Sequence, residues 1–187
     1  YDATANAATA AAPRSASAGK TCRSGYAQTH ESHDAFFRKR HLSYGWYDMM
    51  LVDLKGNLVY SVKKENDFAT NLLTGPWKDS GLARVVTIAL NQGLSDVPAF
   101  ADAARFAPSG NRPGMFLAIP VQGPQSGLPL GVLAVQIGLE PFDRYLHFKA
   151  GLGNSGESLL VGTNGWLLTN SFFQKEFSVF NNSRHFE

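Results

Sequence analysis

The chain has 187 residues, of which 17 are Lys or Arg and 15 are Asp or Glu, so its formal net charge is +2. Hydrophobic residues make up 44% of the sequence, which is enough for a core and excludes a fully disordered protein. The basic residues form no block or stripe, so the sequence does not indicate a nucleic-acid-binding protein. The longest apolar runs fall far short of the ~20 residues that cross a bilayer, and no transmembrane segment is predicted.

The N-terminal residues 1–25 are rich in Ala, Ser, Thr and Gly and contain almost no large apolar side chain. A segment of this composition buries little surface, so it is predicted to be a flexible start or a linker. Cys22 is the only cysteine, which excludes an internal disulfide and a cysteine-based metal site. Because the chain starts at Tyr1 rather than at Met, we expect it to be part of a longer protein.

An N-terminal helix, 26–45, is predicted from residues that recur every three or four positions on one stripe: Tyr26, His30, His33, Phe37, His41 and Tyr44. Gly45 is a suitable end for this helix. Two strands follow, at Tyr47–Asp53 and Asn57–Lys63. The turn between them contains Gly56, which tolerates the positive φ that a tight turn requires, so the pair is predicted to be a hairpin.

Residues 66–77 are irregular, and a second helix is predicted after them. Its N-cap is expected to be Asp79 or Ser80, and Gly93 is expected to stop it. The apolar face of this helix consists of residues at helical spacing: Leu82, Val85, Val86, Ala89 and Leu90.

Three further strands are predicted, at Phe100–Phe106, Met115–Gln122 and Leu128–Leu139. Proline cannot donate a backbone hydrogen bond, so Pro120 implies a strand edge or a bulge at its position. A short linker helix, 141–155, is expected to begin at Pro141 and to end at Gly151. Its inward-facing residues are expected to be Phe142, Tyr145 and Leu146.

This order of elements predicts an α+β fold, in which a long N-terminal helix precedes a five-stranded antiparallel sheet of PAS type. An internal repeat extends the prediction, because residues 51–61 align without a gap with residues 160–170. The repeated hairpin indicates that a second PAS-like module begins within residues 156–187. We expect that second module to be incomplete in this sequence.

Several segments, in order and at natural spacing over about residues 26–170, resemble a double Cache sensor domain of bacterial receptors. They are Tyr26–His30 with Phe36–Arg38, Gly45–Asp48, Asp67–Leu72, Gly75–Leu82, Phe100–Asp102, Ala107–Ser109, Gly131–Gln136 and Gly156–Gly162. The resemblance does not extend to the Arg, Trp, Tyr and Asp signature of the amino-acid-binding subgroup.

The resemblance implies an extracytoplasmic, periplasmic sensor of a membrane-bound chemoreceptor, histidine kinase or cyclase. It implies a membrane-distal Cache module at 46–140 that binds a small molecule of unknown identity, and the start of a membrane-proximal module at 156–187. It also implies a homodimer in the full receptor, formed through the N-terminal helix, with the membrane reached only through segments outside this chain.

Motifs for other chemistry have weaker support. Residues 151–156 match Gly-x-Gly-x-x-Gly, but a helix precedes the string and a strand follows it, whereas a dinucleotide fingerprint needs the reverse order. His30 and His33 share a helix face, yet a zinc site needs three converging ligands, so an amphipathic helix at a dimer or module boundary is favoured. The sequence therefore predicts no catalytic residues, no cofactor and no metal, and we expect that the protein is not an enzyme.

The predicted ligand-binding residues surround the irregular loop: Tyr60, Phe68, Trp77, Asp102 and Phe116. Strand alternation places Asp102 on one face with Phe100, Ala104 and Phe106, and a carboxylate in an apolar row requires a partner. That partner is either a cationic group of a ligand or, within the protein, an N–H or a Lys. The alternative function is a structural or protein-interaction module of the periplasm whose pocket is filled by its own aromatic residues.

Overall fold

The computed structural model describes residues 25–93, 96–146 and 151–180. The chain divides into two compact units between His33 and Asp34, and the sheet belongs to the second unit. The elements are α1 (Gly25–Tyr44), β1 (Asp48–Asp53), β2 (Leu58–Ser61), α2 (Gly81–Asn91), β3 (Ala99–Phe106), β4 (Arg112–Gln122), β5 (Pro129–Gly138) and α3 (Glu140–Leu146). A 3₁₀ turn, Ala107–Ser109, joins β3 to β4.

The five strands form one antiparallel sheet in the order β2-β1-β5-β4-β3. The predicted α+β fold, with a helix before a five-stranded PAS-like sheet, is therefore confirmed. Pro120 lies in β4, between β5 and β3, and pairs with Val132 of β5. On the other side, the pairing with β3 ends at Ala118, so Pro120 is locally at an edge where no N–H is needed.

One face of the sheet packs against α2 and forms the main core. The predicted apolar stripe of α2 packs there, with Leu90 partly buried, and Phe116 of β4 is the largest fully buried side chain. Ser80 is the N-cap, because its side chain accepts a hydrogen bond from the N–H of Ala83.

Strand β3 does not alternate as the sequence predicts. The register with β4 shifts between Ala101 and Ala104, which is a bulge, and a bulge reverses the direction of the side chains beyond it. Phe106 is consequently buried in the main core, whereas Phe100 is 50% exposed. The prediction that Phe100, Asp102, Ala104 and Phe106 share one face is wrong for this reason.

The opposite face of the sheet is covered in part by the portion of α1 that follows His33. Phe37 of the helix packs on Tyr60 of β2, with ring centroids 5.0 Å apart. His41 is buried near the end of the helix, and its Nε2 lies 2.9 Å from the carbonyl oxygen of Tyr47.

The predicted inward orientation of Tyr145 in α3 is wrong, since this side chain is 79% exposed.

Residues 156–180 repeat the hairpin of β1 and β2 in three dimensions. The turn glycines Gly56 and Gly165 have φ of +84° and +79°. Each donates its N–H to the carbonyl three residues earlier, that of Asp53 at 3.0 Å and that of Gly162 at 2.9 Å. The pairing of Val52 with Leu58 has its counterpart in the bridge between Val161 and Leu167.

The same correspondence continues beyond the turn. Phe68 donates its N–H to the carbonyl of Glu65, and Phe177 donates its N–H to that of Gln174, each at 3.0 Å. The repeated segment packs through Leu168 on Ala103 and Met115 of the sheet. The sequence repeat therefore corresponds to a repeated backbone arrangement.

Except for Gly25, the predicted linker at 1–25 lies outside the described residues, as do parts of the predicted linker helix and of the second module. Among the residues that the structure describes, no helix is both long and apolar enough to cross a membrane.

Candidate functional site

Polar side chains are buried at one end of the sheet, on the face that packs against α2. Asp48 precedes the core residues Met50 and Val52 on β1, so strand alternation directs it to the same face. Asp48 pairs in register with Gln136 of β5, and Ser61 lies opposite Met50. Asp48, Ser61 and Gln136 are each at most 2% exposed.

The carboxylate of Asp48 is fully engaged within the protein. One of its oxygens accepts hydrogen bonds from the N–H groups of Met49, Val62 and Lys63, and the other accepts one from the hydroxyl of Ser61 at 2.7 Å. Burial raises the pKa of Asp48, and the hydrogen bonds to its charged form oppose that rise. Asp48, at the start of β1, therefore connects β1 to the end of β2 and to the start of the loop that follows β2.

Glu65 connects this loop to two other parts of the sheet. Its two carboxylate oxygens accept hydrogen bonds at 2.6 Å from the hydroxyls of Tyr47 and Ser109. The Ser109 hydroxyl also lies 3.1 Å from Oε1 of Gln136. Burial, followed by the hydrogen bond to Glu65, raises the pKa of Tyr47.

Asp67 is the exceptional member of this group. Its side chain is only 1% exposed, and within the described part of the chain its Oδ1 has no hydrogen-bond partner. Burial, reinforced by the nearby charges of Asp48 and Glu65, raises the pKa of Asp67 to about 6. The backbone N–H groups of Asp67 and Phe68 oppose this rise and lower the pKa of the carboxyl. Buried polar atoms are almost always hydrogen-bonded, so an Oδ1 without a partner among the described residues is an exception.

The chemistry of this acidic cluster, Asp48, Glu65 and Asp67, is that of an acceptor. A positively charged group with N–H donors complements it, because such a group satisfies the open oxygen and offsets the carboxylate charge. Within residues 25–93, 96–146 and 151–180, no group of three or more His, Cys, Asp or Glu side chains has the arrangement of a metal site.

The structure distributes the sequence-predicted ligand residues over several places. Phe116 and Trp77 belong to the core on the α2 face, and Phe68 lies beside Asp67 in the loop. Tyr60 points to the opposite face of the sheet, where its hydroxyl donates a 2.9 Å hydrogen bond to Asp34 of α1. The five residues thus do not line one common surface, and the ligand-binding role of each stays a prediction.

Asp102 has its partners within the protein, which was one of the two alternatives. Its Oδ2 accepts hydrogen bonds from the N–H and the hydroxyl of Thr163, both at 2.7 Å, and its Oδ1 accepts one from Ala103. These hydrogen bonds, those of Thr163 first, outweigh the effect of burial and lower the pKa of Asp102. Asp102 therefore connects β3 to the repeated hairpin.

Sequence reasoning missed Asp67 as a candidate site residue. It stands in an irregular segment, where no periodicity assigns its side chain to an inner or an outer face. Its burial follows from the fold of the loop, in which Ala69 adopts a positive φ of 62° and donates its N–H to the carbonyl of Leu58. The segment Asp67–Leu72, which carries part of the Cache resemblance, was the only available signal.

Comparison with protein-family models finds no match, and comparison with curated proteins finds none either. Solved structures do match. The ligand-binding domain of the Pseudomonas fluorescens chemoreceptor CtaA, in complex with L-serine, has a TM-score of 0.51 at 15% identity. The complex of the same domain with L-alanine has a TM-score of 0.50 at 16% identity. Each alignment covers 80% of this chain and 58% of the CtaA chain.

An extracellular ligand-binding receptor from Desulfohalobium retbaense is also similar, with a TM-score of 0.50 at 15% identity. The alignment covers 75% of this chain and 24% of that receptor. The chain thus spans less than two thirds of the length of each of these proteins. These neighbours are ligand-binding domains or receptors. The chain therefore has the fold of the Cache-type ligand-binding sensor domains, as its sequence resemblance predicts.

Proposed function

We propose that this chain is the extracytoplasmic ligand-sensing part of a membrane-bound bacterial signal-transduction receptor, and that it has no catalytic activity of its own. The fold supports the proposal, because structural neighbours are ligand-binding domains, one of them in complex with L-serine. In the proposed receptor, this part lies in the periplasm and forms a homodimer that packs through α1. Analytical ultracentrifugation of the full-length receptor tests this, and we expect the mass of a dimer.

The proposed ligand is a small molecule with a cationic nitrogen, bound at the acidic cluster on the α2 face. The observation that carries this assignment is the open Oδ1 of Asp67, which is buried among carboxylates. An ammonium group supplies up to three donors and a positive charge, so it satisfies the open oxygen and lowers the cost of the buried charge. Binding biases signalling only through the difference in ligand affinity between the two states of the receptor.

Thermal-shift measurements with matched pairs of compounds test the proposal. Small primary amines, each paired with the alcohol of the same carbon skeleton, are screened at pH 7.5, where Asp67 is ionised. We expect at least one amine, and not its alcohol, to raise the melting temperature of the wild-type protein. The Asp67→Asn variant should lose this response, because Asn cannot offer a charged acceptor.

Asp79→Asn is the matched control, since Asp79 is exposed and lies in the same part of the chain. This variant should respond to the amine as the wild type does. The proposal of a cationic ligand is wrong if no amine stabilises the protein, or if Asp67→Asn retains the full response.

The second candidate function is a structural or protein-interaction module of the periplasm. The packing of the α2 face favours it, because Phe116 is 1% exposed and packs edge to face on Phe106 with centroids 4.9 Å apart. A face filled by the protein's own aromatic side chains has no need of a ligand. A screen in which neither amines, organic acids nor nucleobases change the melting temperature would support this second function over the first.

A further inference from the structure

A cavity of about 290 Å³ lies at the same end of the sheet as the acidic cluster and opens to solvent. The end of α1, the start of β1, the start of β4 and α3 surround it, so it is separate from the core beneath α2. Tyr47 and Trp46 form aromatic walls, and the charged residues of its lining are Lys63, Arg112, Arg144 and Glu140. We call this cavity the basic cleft.

The cations of the basic cleft have no acidic partner in the described structure. No ion pair joins Lys63, Arg112 or Arg144 to a carboxylate among the described residues. Two of these cations lie over the same ring instead: Nζ of Lys63 is 5.0 Å and Cζ of Arg112 is 5.9 Å from the ring centroid of Tyr47. The aromatic ring attracts each of them but does not neutralise either charge.

The hydroxyl of Tyr47 is not available to the cleft, because it donates its hydrogen to Glu65. This hydrogen bond fixes the orientation of the Tyr47 ring, over which Lys63 and Arg112 lie. Since Tyr47 is held from inside the protein, the two cations face a rigid surface, which reduces the entropy lost when a ligand binds. His41 adds to this rigidity through its 2.9 Å contact with the carbonyl oxygen of Tyr47.

We propose that the basic cleft binds a small dianion bearing carboxylate or phosphate groups. Three cations and the single carboxylate of Glu140 leave two positive charges in the lining, which a dianion balances. Arg guanidinium groups bind both carboxylate and phosphate oxygens through paired N–H donors. The volume of about 290 Å³ is at the lower end for ligand pockets, which favours a small ligand.

Isothermal titration of the full chain with inorganic phosphate, and separately with malonate, tests the proposal at low ionic strength. We expect saturable binding of at least one of the two probes, with stoichiometry of one. Sodium chloride at matched ionic strength is the control, and it should produce no saturable heat. The two probes distinguish a phosphate-specific site from one that accepts dicarboxylates.

Two variants locate the binding. Arg112→Gln should weaken the affinity about tenfold or more, because it removes one charged contact. Arg84→Gln is the matched control, since Arg84 is exposed on α2 and does not line the cleft, and its affinity should equal that of the wild type. Circular dichroism of both variants checks that the fold is kept.

The proposal is overturned if neither probe binds more than chloride does, or if Arg112→Gln and Arg84→Gln bind the probe equally well. It does not depend on the amine site, because Asp67→Asn should keep its affinity for the dianion. Failure of the amine screen and failure of the dianion titration are therefore separate results.

Discussion

Asp67 illustrates how burial changes the behaviour of a single side chain. Its pKa rises from an ordinary value of 3.8 to about 6, so the folded protein binds this proton more tightly than the unfolded chain does. Protonation therefore stabilises the fold as the pH falls from above 6 towards 4, whereas above pH 6 the ionised carboxylate is a cost. At 1.36 kcal/mol for each pKa unit, that cost is about 3 kcal/mol.

We expect Asp67→Asn to raise the free energy of unfolding at pH 7.5 by up to about 3 kcal/mol, because it removes a buried charge. The gain should shrink as the pH falls through 6 and should be small at pH 4. Urea unfolding at several pH values between 4 and 8 measures the difference. A gain that is the same at pH 4 and pH 7.5 would contradict the assignment of this pKa to Asp67.

Two aspartates show what sequence can and cannot predict at this scale. Alternation along a strand drew attention to Asp102, and its carboxylate does have partners within the protein, although the apolar row from which its need for a partner was argued does not exist. One of these partners is Thr163, which lies 61 residues further along the chain. The sequence could not identify it, because only the tertiary structure brings the two residues together. Asp67 gave no comparable signal, because side-chain direction in an irregular loop follows from its folded backbone.

Among the secondary-structure elements, α2 is one whose buried face the sequence predicted correctly. Its apolar stripe has a strict helical period, and a capping residue and a glycine stand on either side of it. The bounds of strand β3 were predicted to within one residue, but the faces of its side chains were not, because one bulge reverses its alternation and no residue type in Ala101–Ala104 marks the bulge. Periodicity thus assigns side chains to the correct face only where the backbone keeps one repeat.

The two candidate caps of α2 lead to a direct test. Ser80→Ala should lower the free energy of unfolding by about 1 kcal/mol, because the N–H of Ala83 loses its acceptor. Asp79→Ala should change it by less than about 0.5 kcal/mol, as is usual at an exposed site. Urea denaturation of both variants measures these values, and an equal loss in the two would show that Ser80 is not the dominant cap.

At the scale of the whole molecule, the repeated hairpin bears on how the chain is divided into domains. We propose that 46–140 is one module, that 141–155 links it to the next, and that 156–187 begins a second module. The equivalent turns at Gly56 and Gly165 support this division. Asp102 and Thr163 provide a polar contact between the two parts, next to the apolar contact of Leu168 with Ala103 and Met115.

Hydrogen exchange tests this division through the Thr163→Val variant, which removes the hydroxyl that donates to Asp102. We expect faster exchange of the amides in 156–180, with the amides of β1–β5 unchanged, because separate modules open separately. Thr74→Val is the matched control, since Thr74 lies in an exposed turn. Equal acceleration across the sheet and the repeated hairpin would mean that they form one cooperative unit.

The positions of the tryptophans have a practical consequence. The chain contains three, and each lies in a different region. Trp46 lines the basic cleft, Trp77 donates a hydrogen bond to the carbonyl of Asn66 beside the acidic cluster, and Trp166 follows the turn glycine of the repeated hairpin. Variants that keep a single tryptophan would therefore give three independent signals through the wavelength of their fluorescence emission. Trp46 would report on dianion binding, Trp77 on amine binding and Trp166 on opening of the second module.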